Sequence, residues 1–420
     1  MSEPLEQVAE APAELAPPGG GLLTRRLRDL VRARLGGLTA GRLTVADPWG
    51  VWSAGEVGPL DAAVEVIDPS FYRTLVFGGT VGAERAYLEG YWRSPDLTRL
   101  LRLMIANGER TAALDRGPAR LAAALAGWRQ RLRRHDRAGS RANVSAHYDL
   151  GNDLFTLFLD PTLTYSAAIF DPPDSSLEQA SVAKLERVCR KLDLRPTDHL
   201  LEVGTGWGSL ALHAAARYGC RVTTTTISRE QHDLAARRVF EAGLADRVRV
   251  LVRDYRDLEG RYDKLVSIEM IEAVGHRYLP QYFAACNRLL RPDGLMLLQS
   301  ILMPDQRYER SRHNVDFIQR YIFPGGFLPS TGAIATLTGQ HTDMQLIDTL
   351  DITAHYADTL AAWRRRFHAG TEAIRALGYS EDFVRLWDYY FCYCEGGFRE
   401  RAIGTAQFLL AKPQYRPQPA

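Results

Sequence analysis

The chain has 420 residues, which is more than one hydrophobic core usually holds, so two domains are expected. Its 46% hydrophobic and 24% charged residues are typical of a globular protein, and a formal net charge of +2 gives no bulk attraction to nucleic acid. No apolar run approaches the ~20 residues that span a bilayer, no signal-peptide pattern is present, and the five cysteines lack metal-site spacing. We therefore expect a cytoplasmic protein with no nucleic-acid partner and no metal site.

The predicted first domain covers residues 22–138 and follows a segment, residues 1–21, whose Pro-, Ala-, Glu- and Gly-rich composition predicts disorder. Leu22–Leu35 predicts an amphipathic helix with arginines outside its apolar stripe, and a second basic amphipathic helix is predicted after Pro118. Each is either a surface helix docked on its own domain or a helix that contacts anionic phospholipid headgroups. Gly139 begins a linker into the next domain.

Between the two basic helices the pattern changes. Residues 38–78 alternate apolar and polar side chains between glycines and prolines, which predicts short antiparallel strands. Helical periodicity resumes from Gly82 to Asn107. The first domain is therefore predicted to be small and of α+β class.

The predicted second domain, residues 139–412, alternates strand and helix patterns, which predicts a doubly wound parallel sheet of α/β class. Its strand candidates are residues 200–203, 221–227, 248–252, 264–269 and 295–301. Ligands of such sheets bind beyond the carboxyl ends of the strands. The polar residues expected at those ends are Thr226, Asp254, Glu269 and Glu272.

The second domain is organised around residues 200–208, with the sequence LLEVGTGWG. Two leucines and Glu202 lead into Gly204, Gly206 and Gly208, so we expect a buried strand that ends in a tight turn close to a ligand. A dinucleotide fingerprint would place its third glycine one residue later. The observed spacing suits S-adenosylmethionine, which lacks phosphates. On this stretch alone, a dehydrogenase and a purely structural turn are the alternatives.

Two later segments are crowded with aromatic residues. One is residues 305–326, which include Phe317 and Tyr321, and the other is residues 387–398. Such density is typical of a core helix. It also suits an elongated, electron-rich, apolar cavity.

Motifs distributed over residues 143–410 closely resemble those of the cyclopropane-fatty-acyl-phospholipid synthase family and occur in the family's order. They read HYDLGND, YSAAIF, LLEVGTGWG, TISREQ, RDYRDLEGRYDKLVSIEMIEAVG, YIFPGGFLPS and YYFCYCEGGFR. The resemblance implies a class I S-adenosylmethionine-dependent methyltransferase fold that acts on double bonds in unsaturated acyl chains of membrane phospholipids. The first domain resembles the family more weakly. In the family it supports lipid binding and dimer formation, which implies a homodimer associated peripherally with the membrane.

The resemblance also implies a set of residues that bind S-adenosylmethionine. From the methionine end to the adenine, and in chain order, they are Tyr165, Ser166, Glu202, Gly204, Gly206, Thr226, Gln231 and Tyr255. Thr226 equally suits a strand, and Gln231 suits the third position of a helix for which Ser228 is the predicted N-cap, so each also has a structural alternative.

The catalytic candidates come from the family's proton-removing site. Members commonly hold a bicarbonate ion there as the base, and the resemblance places Glu272, Tyr321 and Cys394 among its ligands. Two positions depart from the pattern, since Ala167 replaces a Cys and Gln299 replaces a His. Alanine has no side-chain donor, and Gln299 can donate a hydrogen bond but cannot titrate. Both changes weaken the expected binding of bicarbonate, so Glu272 would either help to position the anion or act as the base itself.

The chemistry follows from the weak nucleophilicity of an alkene, which must be held in line with the sulfonium methyl group and away from water. Methyl transfer leaves a carbocation, which aromatic faces stabilise. Loss of a proton from the new methyl group closes a cyclopropane ring, whereas loss from a chain carbon leaves a methylene or methyl-branched product. We expect the cyclopropane, with C-methylation of the same acyl chains as the alternative.

Two functions of other classes stay open. One is a methyltransferase for soluble small molecules on the same fold. The other is a peripheral lipid-binding protein with a vestigial cofactor site.

Overall fold

The computed structural model describes residues 21–112, 114, 151–312 and 315–417. Residues 1–20 of the predicted disordered segment, the second basic helix after Pro118 and the predicted boundary at residue 139 lie outside the described residues. Among the residues described, none of the helices has both the length and the apolar character needed to cross a membrane.

The described chain divides into two compact units. The first contains the described residues up to 114 together with Gly378–Ala402, and the second contains the described residues from 151 to Leu377 and from Ile403 onward. The sequence prediction placed all of residues 139–412 in one catalytic domain. The structure differs from it, because residues 378–402 pack with the first unit.

The first unit has a four-stranded sheet. Its strands are β1 (Leu43–Asp47), β2 (Gly50–Ala54), β3 (Ala62–Val66) and β4 (Trp92–Arg93), and its helices are α1 (Leu22–Leu35), α2 (Ser70–Leu88), α3 (Leu97–Ala106) and α4 (Gly108–Thr111). The strand order is β2-β1-β3-β4, with β1 antiparallel to β2 and parallel to β3. The predicted α1 therefore has the predicted bounds, whereas the sheet is mixed rather than purely antiparallel.

The strand prediction for residues 38–78 is wrong in its last part, because α2 begins at Ser70. The Asp68 carboxylate accepts a hydrogen bond from the Ser70 N–H (2.7 Å) just before the helix. The residues that are buried in its first turns are Phe71, Tyr72, Leu75 and Val76. This spacing places them on one face of a helix, and the short window made it look like strand alternation.

The second unit has a seven-stranded sheet covered by helices. Its strands are β5 (His199–Val203), β6 (Arg221–Thr226), β7 (Val248–Val252), β8 (Tyr262–Ile268), β9 (Leu290–Leu302), β10 (Gln345–Asp351) and β11 (Gly404–Ala411). Its helices are α5 (Asn152–Phe158), α6 (Leu177–Lys191), α7 (Ser209–Tyr218), α8 (Arg229–Glu241), α9 (Leu279–Leu289), α10 (Asp305–Ser311), α11 (Thr331–His341), α12 (Thr353–Ala369) and α13 (Thr371–Ala376). The strand order is β10-β11-β9-β8-β5-β6-β7.

The five strands from β5 to β9 run parallel, as predicted, and β11 runs antiparallel to both β9 and β10. The order of the parallel strands reverses between β5 and β8, which is the switch point at which doubly wound sheets bind ligands. β5 is buried on both faces, since Leu201 and Val203 belong to one apolar cluster and Leu200 to another. The glycine turn that follows β5 therefore starts from the centre of the core.

The last helix, α14 (Glu381–Arg399), belongs to the first unit. Its Asp388 carboxylate accepts a hydrogen bond from the Tyr87 hydroxyl (3.0 Å), and the rings of Tyr87 and Tyr389 lie 5.3 Å apart. Trp387 and Phe391 are fully buried. The aromatic residues of 387–398 thus contribute to a helix in a core, which was one of the two interpretations of their density.

Asp47, at the end of β1, joins α1 and α2 to the sheet. Its carboxylate accepts hydrogen bonds from Arg28 Nε (2.6 Å), Tyr72 Oη (2.5 Å) and Trp52 Nε1 (3.1 Å). Asp47→Ala leaves buried donors without an acceptor, so we expect the free energy of unfolding of the first unit to fall by about 3 kcal/mol.

Urea unfolding monitored by tryptophan fluorescence measures this loss. Glu65→Ala is the matched control, because it removes the exposed ion pair with Arg93, whose two side chains are 67% and 32% exposed. We expect the control to lose no more than about 1 kcal/mol. Equal losses in the two variants would contradict a special role for Asp47.

Candidate active site

A cleft opens at the carboxyl ends of β5, β6 and β8, beside the switch point of the sheet. All eight residues that the sequence predicted to bind S-adenosylmethionine line it. They are Tyr165, Ser166, Glu202, Gly204, Gly206, Thr226, Gln231 and Tyr255. The fold therefore brings separate segments of the chain together around one space.

The glycine turn after β5 forms the floor of the cleft. Gly204 has φ +104° and Gly206 has φ +53°, which are left-handed conformations that favour glycine. A Cβ atom on Gly204 would lie 3.1 Å from Met270 side-chain atoms. The N–H groups of Gly204 and Thr205 both donate to the Thr225 carbonyl (3.0 Å each), which fixes the turn against β6. A ligand can therefore approach the backbone closely at this point.

Thr226 and Gln231 meet across the end of β6 and the start of α8. The Thr226 hydroxyl donates to Gln231 Oε1 (2.9 Å), and the Ser228 hydroxyl accepts from the Gln231 N–H (3.3 Å). Ser228 is thus the N-cap that the sequence predicted. Gln231 combines the helix-capping position with a place in the cleft wall, so its two interpretations are compatible.

The opposite wall follows β7 and contains Asp254, Tyr255 and Arg256. The Asp254 carboxylate accepts from the Arg256 guanidinium at 2.6 and 2.8 Å, and both side chains are buried. The Tyr255 ring packs edge-on against Tyr282 at 5.5 Å. Two hydrogen bonds between a carboxylate and a guanidinium hold this wall in one geometry.

Glu202 and Lys184 place opposite charges beneath the cleft. Glu202 accepts a hydrogen bond from the Thr224 hydroxyl (2.6 Å), and burial raises the pKa of Glu202 to about 8. Lys184 donates to Ser166 Oγ (3.1 Å). Burial lowers the pKa of Lys184 to about 8, and the charges of Glu269 and other acids oppose this decrease. The ammonium group therefore partly compensates the carboxylates around it.

Glu269 follows β8 and lines the cleft with a left-handed backbone, φ +49°. Its Oε1 accepts from the Ala167 N–H (3.0 Å) and from Gln299 Nε2 (2.8 Å), and its Oε2 accepts from Tyr356 Oη (2.7 Å). Burial raises the pKa of Glu269, and these three donors oppose the rise. A left-handed backbone is uncommon for a residue other than glycine and is concentrated at functional sites.

Glu272 and Gln299, two of the predicted catalytic residues, lie behind Glu269 rather than in the cleft lining. Glu272 Oε1 accepts from the Ile301 N–H (2.6 Å) and the Ser300 hydroxyl (2.9 Å), and its buried Oε2 has no partner among the described residues. Burial and the nearby charge of Glu269 raise the pKa of Glu272 to about 8. Gln299 donates to Glu269 and accepts from Gln407 Nε2 (3.0 Å).

Tyr321 and Cys394, the other two predicted catalytic residues, are placed differently. Tyr321 lies in a π-helical turn, Ile318–Ile322, with its ring 5.2 Å from that of Phe317. No hydrogen bond within the described ranges connects it with Glu269 or Glu272. Cys394 lies on α14 in the first unit, whereas the cleft is formed by the second.

Aromatic rings surround Tyr165, which reaches the cleft from the loop after α5. Its ring centroid lies 5.1 Å from that of Trp363, 5.3 Å from that of Phe155 and 6.4 Å from that of Trp207. The faces of such rings attract positive charge, most strongly where water is excluded. This part of the cleft can therefore stabilise a cation.

The family described as mycolic acid cyclopropane synthetase matches residues 135–408 of the chain. The chain belongs to this family. Tuberculostearic acid methyltransferase UfaA1 of Mycobacterium tuberculosis is 42% identical over 80% of this chain and 79% of that protein. Cyclopropane-fatty-acyl-phospholipid synthase of Escherichia coli K12 is 37% identical over 84% of this chain and 89% of that protein. The crystal structure of mycolic acid cyclopropane synthase CmaA1 complexed with SAH and CTAB is 34% identical, with a TM-score of 0.61 over 65% of this chain and 98% of that chain.

These relatives confirm the family and the class I S-adenosylmethionine-dependent methyltransferase fold that the motifs predicted. The protein is accordingly an enzyme of the S-adenosylmethionine-dependent methyltransferase class. A likeness in fold extends to coclaurine N-methyltransferase, at 20% identity and a TM-score of 0.60.

For a member of the mycolic acid cyclopropane synthetase family, the site around Glu269 is poorly suited to bicarbonate. The Ala167 N–H and the Gln299 amide, at the two positions that depart from the family pattern, both donate to Glu269 Oε1. The charge of Glu269 already raises the pKa of Glu272. A further anion here would meet the like charge of Glu269, whose carboxylate already binds the Ala167 N–H and the Gln299 amide, so the residues present do not fit it.

Sequence reasoning missed Lys184 and did not include Glu269 in the site. Lys184 falls on the apolar stripe of α6 with Leu185 and Val188, where a charged residue is unusual, and this position was the available signal. Glu269 had been recognised only as a polar residue at a strand end. Its contact with Gln299 depends on the pairing of distant strands, which no local pattern reveals.

Proposed function

We propose that this enzyme transfers a methyl-derived carbon from S-adenosylmethionine to the double bond of an unsaturated fatty acyl chain in a membrane phospholipid, and that the product is a cyclopropane. The observation that carries the proposal is the single cleft lined by all eight predicted donor-binding residues. The names of the relatives support the lipid substrate, since they describe a fatty-acyl-phospholipid synthase and a tuberculostearic acid methyltransferase.

The charges of the cleft suit the donor. S-adenosylmethionine carries a positive sulfonium group and an ammonium group, and Glu202 and Glu269 place carboxyl groups at the cleft that a bound cation would keep ionised. The backbone at Gly206 has open space beside it, which leaves room for the amino-acid end of the donor. Tyr255 would face the adenine from the opposite wall. Attraction between fixed charges and a cation is strong in a site that excludes water.

The methyl-transfer step requires the double bond to be aligned with the sulfonium methyl group. It also requires the positive charge that forms to be stabilised. In the proposed reaction the π electrons of the acyl chain attack the methyl carbon, and the sulfur keeps the electrons of the broken bond. The rings of Tyr165 and Trp207, which line the cleft, then stabilise the carbocation. Gln299 positions Glu269 through its amide, and we retain Glu272, Tyr321 and Cys394 as catalytic candidates on the strength of the family resemblance.

C-methylation of the same acyl chains is the second candidate outcome. It would give a methylene or methyl-branched product through loss of a different proton. Ala167 and Gln299 favour it, because they depart from the family's bicarbonate site. The 42% identical relative, which is named a methyltransferase rather than a cyclopropane synthase, supports it as well.

We also propose that the enzyme is cytoplasmic and associates peripherally with anionic membranes through α1. Leu27, Val31 and Leu35 are buried in the first unit, so α1 is docked on its own domain. Leu22 and Leu23 are nevertheless 81% and 65% exposed, and they adjoin exposed arginines. Docking of α1 on its own domain is thus compatible with contact between α1 and anionic phospholipid headgroups. A homodimer remains a prediction from the family resemblance.

Mass spectrometry of acyl chains tests the proposed function, with the purified enzyme, S-adenosylmethionine and vesicles of unsaturated phospholipid. We expect acyl chains heavier by one CH2 group, and chromatography against ring and methyl-branched standards identifies the product.

Gly204→Ala should lower donor affinity by about tenfold or more and reduce turnover, because its Cβ would crowd Met270 in a strained backbone.

Gly243→Ala is the matched control, since Gly243 also has a positive φ (+67°) but has open space around it and does not line the cleft. It should retain donor binding in calorimetry and product formation. Absence of any heavier acyl chain with wild-type enzyme would overturn the lipid function, and turnover of soluble amines without vesicles would favour the small-molecule alternative.

Salt should weaken binding of the enzyme to anionic vesicles, because exposed arginines would act through screened charge. Arg25→Glu combined with Arg26→Glu should weaken vesicle binding by about tenfold or more at low salt, on the basis of ~1 kcal/mol per basic residue near an anionic surface. Co-sedimentation with vesicles measures both effects. Arg237→Glu combined with Arg249→Glu, at exposed positions of α8 and β7, is the charge-matched control. Binding that is independent of salt and unchanged in the Arg25→Glu, Arg26→Glu variant would contradict the proposed role of α1.

A further inference from the structure

We infer that Glu269 is the base that removes the proton after methyl transfer, and that it takes the place of an external bicarbonate ion in this enzyme. The inference deepens the proposed function and rests on it. It begins from the two residues, Ala167 and Gln299, at which this chain departs from the family's anion site.

Donors at these two positions bind Glu269 instead of a free anion. The Ala167 N–H and the Gln299 amide both donate to Oε1, at 3.0 and 2.8 Å, and Tyr356 donates to Oε2 at 2.7 Å. Gln299 is fixed at two further points, because its carbonyl accepts from the Glu269 N–H (2.8 Å) and its Oε1 accepts from Gln407. The carboxylate of Glu269 therefore takes up these hydrogen-bond donors.

Glu269 also has the capacity to accept a proton. A carboxylate offers about four lone-pair sites, and among the described residues three donors bind Glu269, one of them at Oε2. Glu269 is one of the residues that line the cleft, whereas Glu272 is not. Met270 and Ala273, which are apolar, line the cleft as well. Burial raises the pKa of Glu269, which strengthens it as a base.

The step balances without any further reagent. The π electrons form the bond to the methyl carbon, and the electron pair of the broken S–C bond stays on sulfur as a thioether. A C–H electron pair of the new methyl group then closes the ring, or a C–H electron pair on a chain carbon next to the cation forms a new double bond. The proton passes to Oε2 of Glu269 and from there to water after product release.

The test compares Glu269→Gln, which keeps the shape without the charge, with Glu269→Ala, which vacates the space. Both should form lipid product at least ~100-fold more slowly, the usual contribution of a general base. Donor affinity in calorimetry should stay within about tenfold, which also shows that the variants are folded. Added bicarbonate or formate should restore Glu269→Ala by about tenfold or more but should not restore Glu269→Gln. Glu178→Gln, an exposed acid on α6, should behave as wild type.

A second readout needs no turnover. Magnetic resonance of isotopically labelled bicarbonate should detect binding to Glu269→Ala and none to the wild-type enzyme. Bicarbonate bound by the wild type, or by neither protein, would overturn the inference, and so would a wild-type rate that collapses in carbonate-free buffer. An unimpaired Glu269→Ala would do the same. A wild type that makes no lipid product would instead remove the proposed function, while the binding experiment still decides whether Glu269 occupies an anion site.

Discussion

The burial of several carboxylates at one edge of the sheet is the constraint on which this active site depends. Glu202, Glu269 and Glu272 lie at or behind the carboxyl ends of β5 and β8, and burial raises the pKa of each. Such groups are costly to ionise unless positive charge comes near. Lys184 supplies part of that charge. A cationic donor adds positive charge beside these carboxyl groups, whereas an additional anion would add negative charge. The same electrostatic condition therefore favours the sulfonium group and disfavours bicarbonate.

The geometry of the site follows from the centre of the sheet outward. β5 is packed on both faces, so the turn at Gly204 and Gly206 is held rigidly where the strand order reverses. The Glu269–Gln299 contact is fixed in turn by β9 and β11, whose register places Gln407 opposite Gln299. The proposed base is therefore held by three neighbouring strands. Ala167 and Gln299 both donate hydrogen bonds to Glu269. The three residues therefore form one unit, and none of them can be understood alone.

Local patterns predicted the parts of the fold that depend on neighbouring residues in the chain. The glycine turn, the parallel strands, α1 and the N-cap at Ser228 all follow from periodicity or turn chemistry within short windows. The prediction failed where distant segments decide the structure. The antiparallel strands β10 and β11, the packing of α14 with the first unit and the contacts of Glu269 all require pairing across long separations. Lys184 was missed because a lysine within an apolar stripe was not treated as a signal.

Proton release on donor binding tests this electrostatic account most directly. At about pH 7, a carboxyl with a pKa near 8, as for Glu202, is mostly protonated, and a bound cation lowers that pKa and expels the proton. Calorimetry of S-adenosylmethionine binding in buffers of different ionisation enthalpy counts the protons. The account predicts net release near about pH 7 and affinity that increases from about pH 6 to about pH 8, with both effects reduced in Glu202→Gln. Proton uptake, or identical behaviour of the wild type and the variant, would contradict it.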